Sequence, residues 1–102
     1  MDELVTALNA TSYPFAHFAW ARAPAGDYGT YSEGGLNRLT GDNRSAEKAT
    51  VVYVDLFTRD ATDAPETAIE DALDGIPCAW YLNTVQYEDD TRYIHYEWVV
   101  EI

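Results

Sequence analysis

The residues able to do nucleophilic, acid–base or metal chemistry are few and scattered. Two histidines, His17 and His95, and one cysteine, Cys78, occur in the whole chain. The histidines lack the H-x-x-H and H-E-x-x-H spacings of metal-binding pairs. No histidine or basic residue is near Cys78 in sequence, which favours a small buried hydrophobic side chain over a nucleophile. A lone cysteine is also typical of a protein from a reducing compartment.

Carboxylates are abundant, yet none of them follows a site motif. The clusters Asp60/Asp63 and Glu88-Asp89-Asp90 do not match the D-x-D-x-D-G calcium loop with its twelfth-position glutamate. Nothing selects a glycosidase-type pair, and there is no G-x-S-x-G. We therefore predict that the chain is not an enzyme and that it has no catalytic residues, no metal site and no cofactor.

The charge balance limits the classes of partner. Eighteen acidic residues against six basic ones give a net charge of −12. This balance argues against direct binding of nucleic-acid phosphates and against an anionic membrane surface. The stretch from Asp60 to Thr91 contains nine carboxylates and no Lys or Arg. This concentration of negative charge suits a basic partner, a DNA-mimicking surface or a channel wall that does not retain DNA.

The N-terminus and the hydrophobic runs add two expectations about location. The opening MDELVTALNATS is acidic and lacks the basic region of a signal peptide. No apolar run approaches the roughly 20 residues that a membrane span needs. We therefore expect neither secretion nor a membrane anchor.

The C-terminal quarter organises the predicted fold. Residues 93–102 alternate strictly, which predicts a strand with one buried face. Residues 79–87 are expected to pair with it as a hairpin, through the acidic loop around 88–92. The buried face comprises Ile94, Tyr96, Trp98, Val100 and Ile102. The opposite face, with Tyr93, His95 and Glu97, is expected to meet a neighbour, a partner or water.

The remaining elements follow from local patterns. Residues 1–10 and 60–74 read as helices, the second with a capping-box variant of Asp63 and Glu66 and a stop at Gly75. Residues 15–22 are predicted to form a strand. Residues 27–41 are predicted to form a short strand followed by an irregular link, with a further strand at 36–39. Residues 44–59 are predicted to form a central strand. The prediction is one α+β domain, 1–102, with a mainly antiparallel sheet and two short helices on one face.

The order of these segments resembles a family of phage proteins. YPFAHFAWARAPAGDYGTYSEGG, GDNRSAEKATVVYVDLFTR, the acidic helix and the closing YIHYEWVVEI are similar to the tail terminator, or tail completion, proteins of long-tailed bacteriophages and prophages. The resemblance covers about residues 15–102 and depends on order rather than on an invariant motif. It implies a ring, typically a hexamer, that caps the tail tube and joins it to the head–tail connector. The implied location is the virion, and the host cytoplasm during assembly.

The resemblance assigns working hypotheses to particular residues. The candidate interface comprises Tyr28, Tyr31, Arg44, Lys48, Glu88, Asp89, Asp90, Tyr93 and His95. The candidate acidic face, at the lumen or rim of the ring, comprises Glu66, Glu70, Asp71 and Asp74. The expected partners are further copies of the chain, the tail tube protein and the connector protein. The alternative is a small acidic inhibitor that mimics DNA, which would need carboxylates spaced like phosphates over a large exposed face.

Overall fold

The computed structural model describes residues 1–34 and 50–102. Its elements run in the order helix, three strands, helix, two strands. Their bounds are α1 Asp2–Asn9, β1 Phe15–His17, β2 Tyr28–Glu33, β3 Val51–Thr58, α2 Ala64–Asp74, β4 Ala79–Tyr87 and β5 Ile94–Glu101. The predicted strand at 36–39 lies outside the described residues.

The five strands form one mixed sheet in the order β1-β2-β3-β5-β4. Three of the four pairings are antiparallel, and only β1 runs parallel to its neighbour β2. Strand β3 is central, and its residue Val54 pairs with Tyr31 on one side and with Trp98 on the other. The predicted α+β class, with a mainly antiparallel sheet and a C-terminal hairpin, is confirmed.

The core lies between one face of the sheet and the two helices. Strand β3 buries every second side chain, from Val52 to Thr58, because adjacent residues of a strand point to opposite faces. Helices α1 and α2 cover these side chains. The fully buried apolar residues of this layer are Leu4, Leu8, Val52, Val54, Leu56, Ile69, Leu73, Trp98 and Val100. We call the sheet surface toward the helices the inner face and the opposite surface the outer face.

The first strand is much shorter than the predicted 15–22. Phe18 has a positive φ of 68°, which ends the extended backbone directly after His17. The indole N–H of Trp20 then donates to the Gly29 carbonyl oxygen at 2.9 Å, which holds the following segment against β2. The prediction for 18–22 is therefore wrong, because the turn at Phe18 overrides an alternating pattern.

The second helix begins one residue after its predicted cap, but the capping box does not form. Asp63 is the N-cap residue with helical dihedral angles and makes no side-chain capping bond. Instead Thr62 accepts a hydrogen bond from the backbone N–H of Ala64, and Asp60 accepts from Thr62. Helix α2 ends at Asp74 beside Gly75, as predicted.

Candidate functional site

The most chemically varied surface of the described chain is the outer face. The register of the strands places alternate residues of β2, β3 and β5 there, on the side away from the helices, and the 25–27 loop packs at one end through Tyr93. Aromatic and titratable side chains dominate this surface. Its main members are Tyr28, Thr30, Tyr53, Asp55, Phe57, Tyr93, His95, Glu97 and Val99.

Stacked rings run across three strands of the outer face. Tyr28 of β2 stacks on Phe57 of β3 at a centroid distance of 4.9 Å, and Phe57 stacks on His95 of β5 at 4.2 Å. Tyr93 meets Tyr28 and Phe57 edge-on, at 5.5 and 6.1 Å. The Arg59 guanidinium lies 3.9 Å from the centre of the Tyr93 ring, which is within cation–π range. The ring geometry is therefore mutually supported before any partner binds.

His95 is fixed at the edge of this array by carboxylates. Its Nε2 is 2.7 Å from Oδ1 of Asp55 on β3, and its Nδ1 is 3.7 Å from Oε2 of Glu88. The hydrogen bond with Asp55 raises the pKa of His95 above its usual value, although burial acts in the opposite direction. The negative charges of Asp55, Glu88 and Glu97 raise this pKa further. The cluster therefore favours a protonated imidazole.

Asp55 also lies opposite a second carboxylate. It pairs in register with Glu97 of β5, and like charges at directly opposed positions are unfavourable. Burial, followed by the proximity of Asp55, raises the pKa of Glu97, while a hydrogen bond from Asn83 Nδ2 at 3.0 Å lowers it. His95 and Asn83 thus compensate two carboxylates that the sheet register forces together.

The structure corrects the prediction for Tyr93. Its side chain is only 6% exposed, so it does not face a neighbour or water. The phenol O–H donates to the carbonyl oxygen of Gly26 at 2.8 Å, and Arg59 covers the ring. Arg59 in turn donates to the Thr91 carbonyl oxygen at 3.0 Å. Tyr93 therefore holds the 25–27 loop against the sheet.

The other candidate interface residues fall in three places. Tyr28 and His95 are half-buried on the outer face, whereas Tyr31 is on the inner face and packs against the core. Asp89 and Asp90 are exposed in the turn after β4, and Glu88 reaches back toward His95. Arg44 and Lys48 lie outside the described residues. The structure therefore does not bring the candidate interface together as one patch.

The acidic face of α2 divides into two kinds of carboxylate. Asp71 and Asp74 are exposed, and Asp74 accepts a hydrogen bond from the Trp80 indole at 2.8 Å. Glu70 is half-buried and accepts from the indole N–H of the core residue Trp98 at 3.0 Å. Glu70 of the candidate acidic face is therefore partly withdrawn from the surface, because the Trp98 indole needs an acceptor inside the layer.

Glu66 is half-buried beside Glu70. Burial, together with the charge and hydrogen bond of Glu70, raises the pKa of Glu66. Like Glu70, it is not presented as a fully exposed carboxylate. An acidic lumen or rim would accordingly depend on Asp71 and Asp74.

Strand β4 provides a second candidate binding surface, which was not predicted from the sequence. It pairs only with β5 among the described strands, so it forms an edge of the sheet. Tyr81, Val85 and Tyr87 are 56%, 50% and 60% exposed. The segment AWYLNTVQY is uncharged over all nine residues, which is the signal that could have identified it. We call these nine residues the β4 edge.

The described residues offer little for catalysis or metal binding. Within 1–34 and 50–102, no group of three or more His, Cys, Asp or Glu side chains is arranged to hold a metal ion. Cys78 donates to the Leu73 carbonyl oxygen, and burial raises the pKa of its thiol. A raised pKa leaves less of the nucleophilic thiolate. The helices in this part of the chain are all too short or too polar to span a membrane.

The fold and its surfaces define a small α+β protein with one sheet face covered by helices, one aromatic sheet face on the side away from the helices, and one long uncharged edge. No protein-family model and no curated protein matches the chain.

Proposed function

We propose that the chain is a structural, non-enzymatic assembly protein of a bacteriophage or prophage tail, of the tail terminator or completion type. It works as a ring of identical subunits, typically six, at the head-proximal end of the tail tube. There it joins the tube to the head–tail connector protein. It acts in the host cytoplasm during assembly and remains in the virion.

The observation that supports an assembly role is the difference between the two sheet faces. The inner face is sealed by α1 and α2, whereas the stacked Tyr28, Phe57 and His95 rings of the outer face are only half-buried, with the 25–27 loop packed at one end. Tyr, Phe and Trp are favoured anchors of protein interfaces, since they bury a large area and lose little side-chain entropy. An outer face of preorganised rings is therefore suited to contact another subunit.

Charge supports the same role. A protein that lines the path of DNA must not retain phosphates, and a net charge of −12 repels them. Asp71 and Asp74 on α2 and Asp89 and Asp90 after β4 are exposed carboxylates that could face such a path. A closed ring further requires two different complementary patches on each subunit, and the outer face supplies one of them.

The test is the mass of the protein in solution. Light scattering, with and without the tail tube protein of the same phage, should show a ring, either alone or once the tube protein is added. Thr30→Arg places a bulky side chain on the β2 part of the outer face, opposite Asp55, and should prevent that assembly. Thr67→Arg, the same substitution at an exposed position of α2, is the matched control and should assemble normally.

Two results would contradict the proposal. If the protein stays monomeric both alone and with the tube protein, it does not form a ring. Unchanged assembly of Thr30→Arg would show that the outer face is not the contact surface, even if a ring exists.

A further inference from the structure

The β4 edge has one row of backbone groups with no partner strand among the described residues. Strand β4 bonds to β5 along Ala79–Tyr87, and its other side is the limit of the described sheet. An edge strand presents unpaired N–H and C=O groups that can pair with another chain. At nine residues β4 is the longest of the described strands, whereas β1 at the opposite edge has three.

Edge strands of soluble proteins are usually protected by charges, prolines or strong twists. Strand β4 contains no Lys, Arg, Asp, Glu or Pro. Its one irregularity is a bulge between Leu82 and Thr84. Seven of its nine residues are exposed, Tyr81, Val85 and Tyr87 among them. A surface of this kind is typical of strand addition, in which main-chain bonds give affinity and side chains give specificity.

Carboxylates surround this uncharged strand. At its start, Asp74 bonds to the Trp80 indole, and Glu101 lies opposite Ala79. At its end, Glu88, Asp89 and Asp90 follow Tyr87 directly; Arg92 closes the same turn and Arg59 contacts the Thr91 carbonyl oxygen, so these three carboxylates outnumber the two cations there. A strand added here would therefore lie between negative charges at both ends.

The positions of these carboxylates discriminate between two strands that could pair with the β4 edge: a second copy of the chain and a cationic segment of another protein. A second copy that paired antiparallel through its own β4 would bring its Glu88, Asp89 and Asp90 toward Asp74 and Glu101 of the first copy. Like charges across an interface are repulsive. An extended segment that carries Lys or Arg would instead find carboxylates at both ends and apolar side chains between them.

We infer that the β4 edge is a docking site for an extended, cationic segment of another protein, which joins the sheet as an additional strand. The inference is independent of ring formation, because it concerns the edge of the sheet and not the outer face.

The probe is a labelled nine-residue peptide in which lysines alternate with valine and threonine. Two peptides of the same length serve as controls: one with glutamate in place of lysine, and one with alternate backbone nitrogens methylated to block strand pairing. Fluorescence polarisation of the labelled peptide, with the protein titrated up to about 1 mM, detects affinities as weak as those expected for strand addition. We expect saturable binding of the lysine peptide, at least about tenfold weaker binding of the glutamate peptide, and loss of binding on methylation.

Two variants locate the site. Val85→Lys places a charge on an exposed side chain of β4 and should weaken the lysine peptide about tenfold or more. Phe18→Lys, also at an exposed position but next to β1, should leave its binding unchanged. Amide shifts in NMR spectra should map to residues 79–87.

Three outcomes would overturn the inference. They are no binding of the lysine peptide, equal binding of the lysine and glutamate peptides, and shifts that map away from β4. A mass that rises with protein concentration and returns to the monomer value in Val85→Lys would identify a second copy as the occupant, which also contradicts the inference.

Discussion

Asp55→Asn tests whether the Asp55–His95 pair stabilises the fold through charge. Asparagine retains the size and one oxygen of aspartate but removes the negative charge. The pair joins β3 to β5 at 2.7 Å, and its two side chains are 15% and 22% exposed. The substitution therefore weakens a charge-assisted hydrogen bond without leaving a cavity.

The expected magnitude follows from burial. Hydrogen bonds to charged groups contribute about 1.5–3 kcal/mol when they are well shielded. Partial exposure of both side chains and relief of the Asp55–Glu97 repulsion reduce this figure. We expect Asp55→Asn to lower the free energy of unfolding by about 1–2 kcal/mol at pH 6.

The loss of stability caused by Asp55→Asn should become smaller as pH rises. The pKa of His95 is raised in the folded protein. Its contribution to stability is therefore fully present below the unfolded pKa of about 6.5 and is lost as pH rises through the folded pKa. The difference between wild type and Asp55→Asn should shrink above that point, because a neutral imidazole has less to gain from the carboxylate and the Asp55–Glu97 repulsion persists.

Urea denaturation from pH 5.5 to pH 9 measures this difference directly, and NMR titration of His95 gives the folded pKa. Glu33→Gln is the matched control, because it alters the His17–Glu33 pair, which has the same 2.7 Å separation but side chains 44% and 37% exposed. Screening by water should make its effect small. An Asp55→Asn cost that is constant with pH, or no larger than that of Glu33→Gln, would refute the reasoning.

Two further substitutions test the attachment of the 25–27 loop and the close approach of β2 to β3. Tyr93→Phe removes the O–H that bonds to the Gly26 carbonyl oxygen, and should lower the free energy of unfolding by about 1 kcal/mol in urea denaturation; no change would mean that the ring alone holds the loop. Gly29→Val should cost about 1–3 kcal/mol by the same assay, because a Cβ at Gly29 would lie 2.7 Å from the Asp55 carbonyl oxygen; a neutral result would show that β2 can move away from β3.

The elements that the sequence predicted well are those whose local pattern agrees with their burial. Strand β3 and helix α2 have clear periodicity, and α2 ends beside Gly75. The parallel β1–β2 pair was not predicted, because its register depends on a turn at Phe18 and on the Trp20–Gly29 contact. A positive φ at a phenylalanine leaves no mark in an alternating pattern of residues.

The chemistry of the outer face was largely beyond prediction from sequence. His95 was predicted on the strand face opposite the core, but its partner Asp55 is 40 residues earlier and becomes adjacent only through the β3–β5 register. The same register, together with the 25–27 loop, buries Tyr93. A shift of one residue would reverse every one of these assignments, since neighbouring residues face opposite sides of the sheet.

The negative charge of the chain is therefore not uniform in its role. Asp55 and Glu97 are compensated within the outer face by His95 and Asn83, and Glu70 serves the core through Trp98. These carboxylates are already committed to the fold. Asp89 and Asp90 are exposed at the end of an uncharged edge strand. Because a charge held by an internal partner has less to offer a ligand, Asp89 and Asp90 are better placed to select a cationic strand than Asp74, which is bonded to Trp80, or Glu88, which faces His95.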